Sequence, residues 1–132
     1  MIGKIITGKS FGGAVEYVLR KEKARLLDSD GVDTESIRSI IDDFNFQRKA
    51  RREIAKVVGH ISLSFHRDDA PTLTDDRMRE LAAAYMESMG IADTQYIVAR
   101  HNGTEHPHLH IIYNRVQFDR TLVADKNERR QN

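Results

Sequence analysis

The chain has 132 residues, 31% charged and 39% hydrophobic, with no cysteine and no tryptophan. A chain of this length buries a core without staples, and the lack of cysteine excludes a disulfide framework, thiolate zinc sites and cysteine nucleophiles together. Lys and Arg number 21 against 20 Asp and Glu, so the net charge of +1 creates no global field for a polyanion, and any such partner must be met by local clustering.

Residues 2–7 form a short β-branched run, followed by the glycine-rich turn GKSFGG. The next segment, AVEYVLRKEKARLL, places Val15, Val18, Leu19 and Leu26 near helical spacing and predicts a first helix, with Tyr17 off its apolar stripe. A second helix is predicted from Ile37, Ile40, Ile41 and Phe44 at i, i+3, i+4 and i+7, capped by Asp33 or Thr34. It leads into QRKARREIAK, the densest basic stretch, which carries Arg48, Lys49, Arg51, Arg52 and Lys56. At residues 57–65 the period changes to two. Val57, Gly59, Ile61, Leu63 and Phe65 alternate with Val58, His60, Ser62 and Ser64, a strand with one apolar and one mostly polar face. Thr74 then caps an amphipathic helix through Met78, Leu81, Ala82, Tyr85, Met86 and Met89, closed by Gly90. Residues 95–101 and 108–116 are β-rich runs joined by NGTEHP, a predicted hairpin, and a short last strand is expected around residues 120–123.

The order β-α-α-β-α-β-β(-β) implies an α+β fold, an antiparallel central sheet with helices on one face and the other face open for a site. No repeat or linker divides the chain, so residues 1–132 read as one domain. The polar segment 124–132 is expected to be a frayed connector into further protein. No apolar run approaches the roughly 20 residues that span a bilayer, which predicts no membrane insertion and a cytoplasmic location.

Four of the six histidines fall in HNGTEHPHLH. Alternation on a strand points His108 and His110 to one face with Leu109 behind them, and a hairpin that sets His101 opposite His108 makes three imidazoles converge. Such a set suits a divalent metal with positions left open for substrate, without fixing which metal. His106, in the loop before Pro107, is expected to face DNA or to support a ligand histidine.

These residues resemble the Mob-type plasmid relaxases of the HUH (His-hydrophobic-His) endonucleases. His108-Leu109-His110 matches the HUH element, and ARHNGTEHPHLHIIYNRV resembles the family's third motif, including His101 and the trailing Asn114-Arg115. KSFGGAVEYVLRKEKARLL resembles the first motif, and GHISLSFHRDDAPTLTDDRMRELAAAYMESMG the second. The resemblance implies that Tyr17 is the nucleophile that nicks single-stranded DNA at a transfer origin, leaving a 5′-phosphotyrosine and a free 3′-OH. His101, His108 and His110 would hold Mg²⁺ or Mn²⁺, and accessory mobilisation and coupling proteins would be partners. The family commonly has an acidic residue two positions after the first histidine; Gly103 stands there in this chain, and Glu105 is the nearest substitute for orienting a ligand histidine. Asn114 is expected to support the site or face DNA.

With a DNA substrate, Lys9, Arg48, Lys49, Arg51, Arg52, Arg100 and Arg115 become candidates for phosphate contacts. Ser62 and Ser64, with His60, are expected to floor the strand-binding cleft. Three other readings fit parts of the pattern. A replication initiator would share the chemistry, although the tyrosine-first, histidines-last order favours a relaxase. A cupin-like dioxygenase would use His-x-His strands, but Asn114 stands where a glutamate ligand is usual. A nucleic-acid-binding module without covalent chemistry would account for the basic stretch alone.

Overall fold

A computed structural model describes residues 1–22, 24–102 and 106–124. Five strands, β1 (Ile2–Gly8), β2 (Ala24–Asp30), β3 (Val58–Ser64), β4 (Tyr96–His101) and β5 (His108–Asn114), form one antiparallel sheet in the order β1-β3-β5-β4-β2. The helices are α1 (Phe11–Leu19), α2 (Ile37–Arg48) and α3 (Asp75–Ser88). The protein is therefore α+β with a central antiparallel sheet.

The alternation of side chains along each strand splits the core in two. Ile61, Leu63, Leu109, Ile111, Tyr113 and Val98 point to one face, where Met78, Ala82 and Met86 of α3 cover them. Val58, Ile97, Ala99 and Ile112 point to the other face and pack against Phe11, Val15 and Val18 of α1 and Ile40 and Phe44 of α2. The Phe11 and Phe44 rings stack with centroids 4.6 Å apart, which locks α1 to α2. The second face thus carries helices over part of its area only. Beside α1 it remains open along β1 and β3, where Lys4, Ile6, His60 and Ser62 line a pocket.

Thr74 caps α3, its hydroxyl accepting from the Arg77 N–H at 3.1 Å, and Gly90 follows the helix with φ +76°, both as expected. One local expectation is corrected. The cap of α2 is Ser36 rather than Asp33 or Thr34: Ser36 Oγ accepts from Ser39 N–H while Ser39 Oγ accepts from Ser36 N–H. Asp33 instead accepts from Glu35 N–H in a turn before the helix.

The larger correction is β2, an element absent from the expected order. The first helix ends at Leu19, and residues 24–30 pair with β4 from Ala24↔His101 to Asp30↔Tyr96. Leu26 packs with the α1/α2 core and Leu27 with the α3 core, so adjacent leucines serve opposite faces. That is a strand's geometry, and pairing with β4 overrides the local helical spacing. The expected last strand reduces to a single bridge, Val116↔Leu122. Of the expected connector 124–132, residues 125–132 lie outside the described residues.

Candidate metal centre and nucleophile

His101 ends β4 and His108 begins β5, and the register pairs them directly. His110 lies one alternation further along the same face, with Leu109 buried behind. One ring nitrogen of each of the three lies within 4.8 Å of those of the other two. The ring centroids are 4.4 Å apart for His101–His110, 5.1 Å for His101–His108 and 5.3 Å for His108–His110.

Hydrogen bonds assign the tautomers of two rings, because a carbonyl can only accept. His101 Nε2–H donates to the Val18 carbonyl at 2.8 Å, so its lone pair is on Nδ1. Val18 sits in the last turn of α1, whose final carbonyls have no partner within the helix. The sequence before β2 therefore supplies an acceptor to the first hairpin histidine. His108 Nδ1–H donates to the His106 carbonyl at 3.1 Å, which puts its lone pair on Nε2.

Burial sets the charge state. His110 is 8% exposed, and desolvation, with the neighbouring His101, His60, His108 and Lys21 adding to it, pushes its pKa from 6.5 down to about 3. Burial, opposed by the Val18 carbonyl, also lowers His101, and burial with His101 nearby lowers His60. His101 and His110, held neutral in this way, offer nitrogen donors and fit a divalent cation without first losing protons.

Tyr17 projects from the exposed side of α1, 53% accessible, over this cluster. Its ring centroid lies 6.0 Å from those of His110 and His60, and the Lys21 ammonium stands 4.5 Å from the ring centre. Tyr17, His110, His60, Ser62, Lys4, Ile6 and Ala14 line a pocket of about 360 Å³.

Sequence reasoning did not single out Lys21, Lys4 or Ile6 as site residues, and it put His60 on the cleft floor without its contact to the histidine cluster. Alternation had put His60 on the correct face, but its contact with His110, Nε2 to Nδ1 at 2.8 Å, depends on β5 lying beside β3. Lys4 and Ile6 enter because β1 pairs with β3, setting Lys4↔Ser62 and Ile6↔His60.

The other predicted residues fall elsewhere. Ser64 sits on the site face opposite His108, and the exposed His106 ring is 6.4 Å from that of His66. Asn114 is corrected as a site residue. It is fully buried four residues beyond His110, and its amide donates to Gln95 Oε1 at 2.9 Å and to the Phe44 carbonyl at 3.3 Å, joining α2 to the sheet. Arg100 is corrected as well, because strand parity turns it to the α3 face. There its guanidinium donates to the Leu73 carbonyl at 2.6 Å and to Asp75 at 3.2 Å. Arg115 donates to the Lys56 carbonyl, and Arg48 to the Lys9 carbonyl, while Arg51 pairs with Glu53. Lys9, Lys49 and Arg52 are exposed. Because Gly8 pairs with Val58 and Val58 with Asn114, this basic group lies toward the end of the sheet away from the histidines. Gly103 and Glu105 lie outside the described residues.

A five-stranded antiparallel sheet carries a three-histidine cluster with the donors for a metal ion beneath an exposed tyrosine. The chain matches the family described as "Relaxase: MobA/VirD2-like, nuclease domain" over residues 17–132, and it belongs to that family of DNA-binding, DNA-nicking domains. A comparison with curated proteins finds no match. Among the described residues, no helix is long and apolar enough to cross a membrane.

Proposed function

We propose that this domain nicks single-stranded DNA at the transfer origin of a plasmid or other mobile element, with Tyr17 as nucleophile. The observation that carries the reading is the placement of Tyr17 over His110 and His60, centroids 6.0 Å away, at the mouth of a pocket of about 360 Å³. Tyr17 Oη attacks the scissile phosphorus and the P–O3′ bond breaks. The phenolic proton is lost, and the leaving 3′ oxygen takes up a proton to become the 3′-OH. The 5′-phosphate stays on Tyr17, which conserves a phosphodiester for later rejoining.

His101, His108 and His110 would hold Mg²⁺ or Mn²⁺, which supplies charge stabilisation at a non-bridging phosphate oxygen when bound. The chain's own residues do the rest. Lys21 holds the Tyr17 ring from one side, while Ser62 and Lys4 offer polar contacts to the strand in the pocket. Ile6, 52% exposed, offers an apolar shelf for a sugar or base. The exposed Lys9, Lys49 and Arg52, with Arg48, Arg51 and Arg115 near them, meet phosphates farther along the strand. Glu105 is assigned the orienting role that Gly103 leaves open. This reading places the protein in the cytoplasm with accessory mobilisation and coupling proteins.

The test incubates wild type and Tyr17→Phe with labelled single-stranded oligonucleotides tiled across the DNA flanking the gene, with Mn²⁺ or Mg²⁺, and resolves them on a denaturing gel. A metal-dependent adduct that Tyr17→Phe abolishes is expected. Adduct formation by Tyr17→Phe would overturn the assignment, and binding without any adduct would favour a non-covalent nucleic-acid module.

A further inference from the structure

We infer that His60 is a positioning residue that accepts a hydrogen bond from His110 and thereby aims the third donor nitrogen into the histidine cluster. The inference rests on the metal reading above. Backbone carbonyls assign the tautomers of His101 and His108, but among the described residues no carbonyl is bonded to the ring of His110. Its Nδ1 meets His60 Nε2 at 2.8 Å, and the next polar atom, Ser62 Oγ, is 3.4 Å away at the limit of a hydrogen bond. The bond between the two rings can run either way, and each direction gives a different site. If His60 donates, His110 carries its hydrogen on Nε2, and that hydrogen points away from His60 and blocks a ligand position. If His110 donates from Nδ1, its Nε2 keeps the lone pair.

Burial favours the second direction. His110 is 8% exposed, so an Nδ1–H needs a protein acceptor, and His60 Nε2 is the nearest. His60 is half-buried and lines the open pocket beneath Tyr17, where the hydrogen on its own Nδ1 can be met by solvent. The sheet makes the contact reproducible. His60 pairs with Ile112 and Ser62 with His110, so His60 reaches His110 across one diagonal of the β3–β5 ladder. Partners that orient a ligand imidazole typically change metal affinity by about 10–100-fold.

Two measurements on the whole chain decide this. Long-range ¹H–¹⁵N spectra of the metal-free wild type at pH 7.5 are expected to show His110 protonated on Nδ1; a His110 protonated on Nε2 would overturn the inference. Calorimetric titration with Mn²⁺ is expected to show His60→Leu weakened by about 10–100-fold, and His60→Gln, whose side-chain carbonyl still accepts, within a few-fold of wild type. Wild-type affinity in His60→Leu would overturn the role, as would equal weakening in both variants. Should the leucine variant not fold, the wild-type spectrum and the glutamine variant still decide. Failure of the wild type itself to bind Mn²⁺ would sink the metal reading instead, and the nitrogen spectrum would then decide the tautomer alone.

Discussion

Burial of neutral histidine beneath Tyr17 makes the metal-free fold sensitive to mild acid. In the unfolded chain His110 takes up a proton as pH falls through 6.5, whereas in the folded protein it stays neutral down to about 3. The unfolded state therefore binds more protons throughout that window, and stability falls as pH falls. At pH 5 the unfolded histidine is almost fully protonated and the folded one almost not at all, so this one group gives a slope of about 1.3 kcal/mol per pH unit. Integrated from pH 7 to pH 5, the loss is on the order of 2 kcal/mol, a large part of a small domain's margin. His101 and His60, lowered chiefly by burial, add to it with the same sign. The lowered carboxylates Asp75, Glu53 and Asp119 begin to lose their stabilisation only below about pH 5. The assay is urea unfolding followed by far-ultraviolet circular dichroism, since the chain has no tryptophan, in chelator at pH 5.0–7.5. His110→Gln should be less stable near neutrality, yet its stability should fall less steeply with acid, by about 1 kcal/mol per pH unit. Parallel curves for wild type and variant would refute the reasoning, because they would show that folding does not exclude the proton from His110.

Arg100→Ala should lose about 1–3 kcal/mol of stability, from its bonds to the Leu73 carbonyl and Asp75, and leave the salt dependence of oligonucleotide binding unchanged. Lys49→Ala/Arg52→Ala should do the opposite, keeping stability within about 0.5 kcal/mol and reducing the slope of log affinity against log salt by roughly 0.7 for each phosphate no longer neutralised. Gly59→Ala places a methyl 2.0 Å from the Tyr113 ring, which is buried against the α3 core, so a loss of about 1–3 kcal/mol or more is expected by urea unfolding. An alanine variant as stable as wild type would mean that Tyr113 does not close over β3 as described.

What was legible in the sequence divides by range. The hairpin histidines were legible because strand alternation and a short connection are local rules: Leu109 had to be inside if His108 and His110 shared a face. The α3 helix was legible for the same reason, with a cap, a stripe and a closing glycine all within one segment. β2 was not legible, because Leu26 satisfies a helical spacing with Val15, Val18 and Leu19 until β4 is known to lie alongside. Arg100 and Asn114 misled for a related reason. Closeness in sequence to His101 and His110 suggested closeness in space, yet parity sends Arg100 to the opposite face, and four residues of strand carry Asn114 roughly 13 Å along β5.

The same parity protects the site. Slipping β5 by one residue against β3 or β4 would send His108 and His110 into the α3 core and expose Leu109, Ile111 and Tyr113, all at most 4% accessible. Leu109, Ile111 and Tyr113 therefore specify which way the donors point, although they lie on the opposite face of the sheet. His101 is held by a second, independent constraint, since its hydrogen bond to Val18 requires α1 to end where it does. The α1 terminus that presents Tyr17 is thus the one that orients His101, a proposed ligand. A change that unwinds the last turn of α1 would displace Tyr17 and His101 together, and on the proposed reading should weaken Mn²⁺ binding even where all three histidines remain.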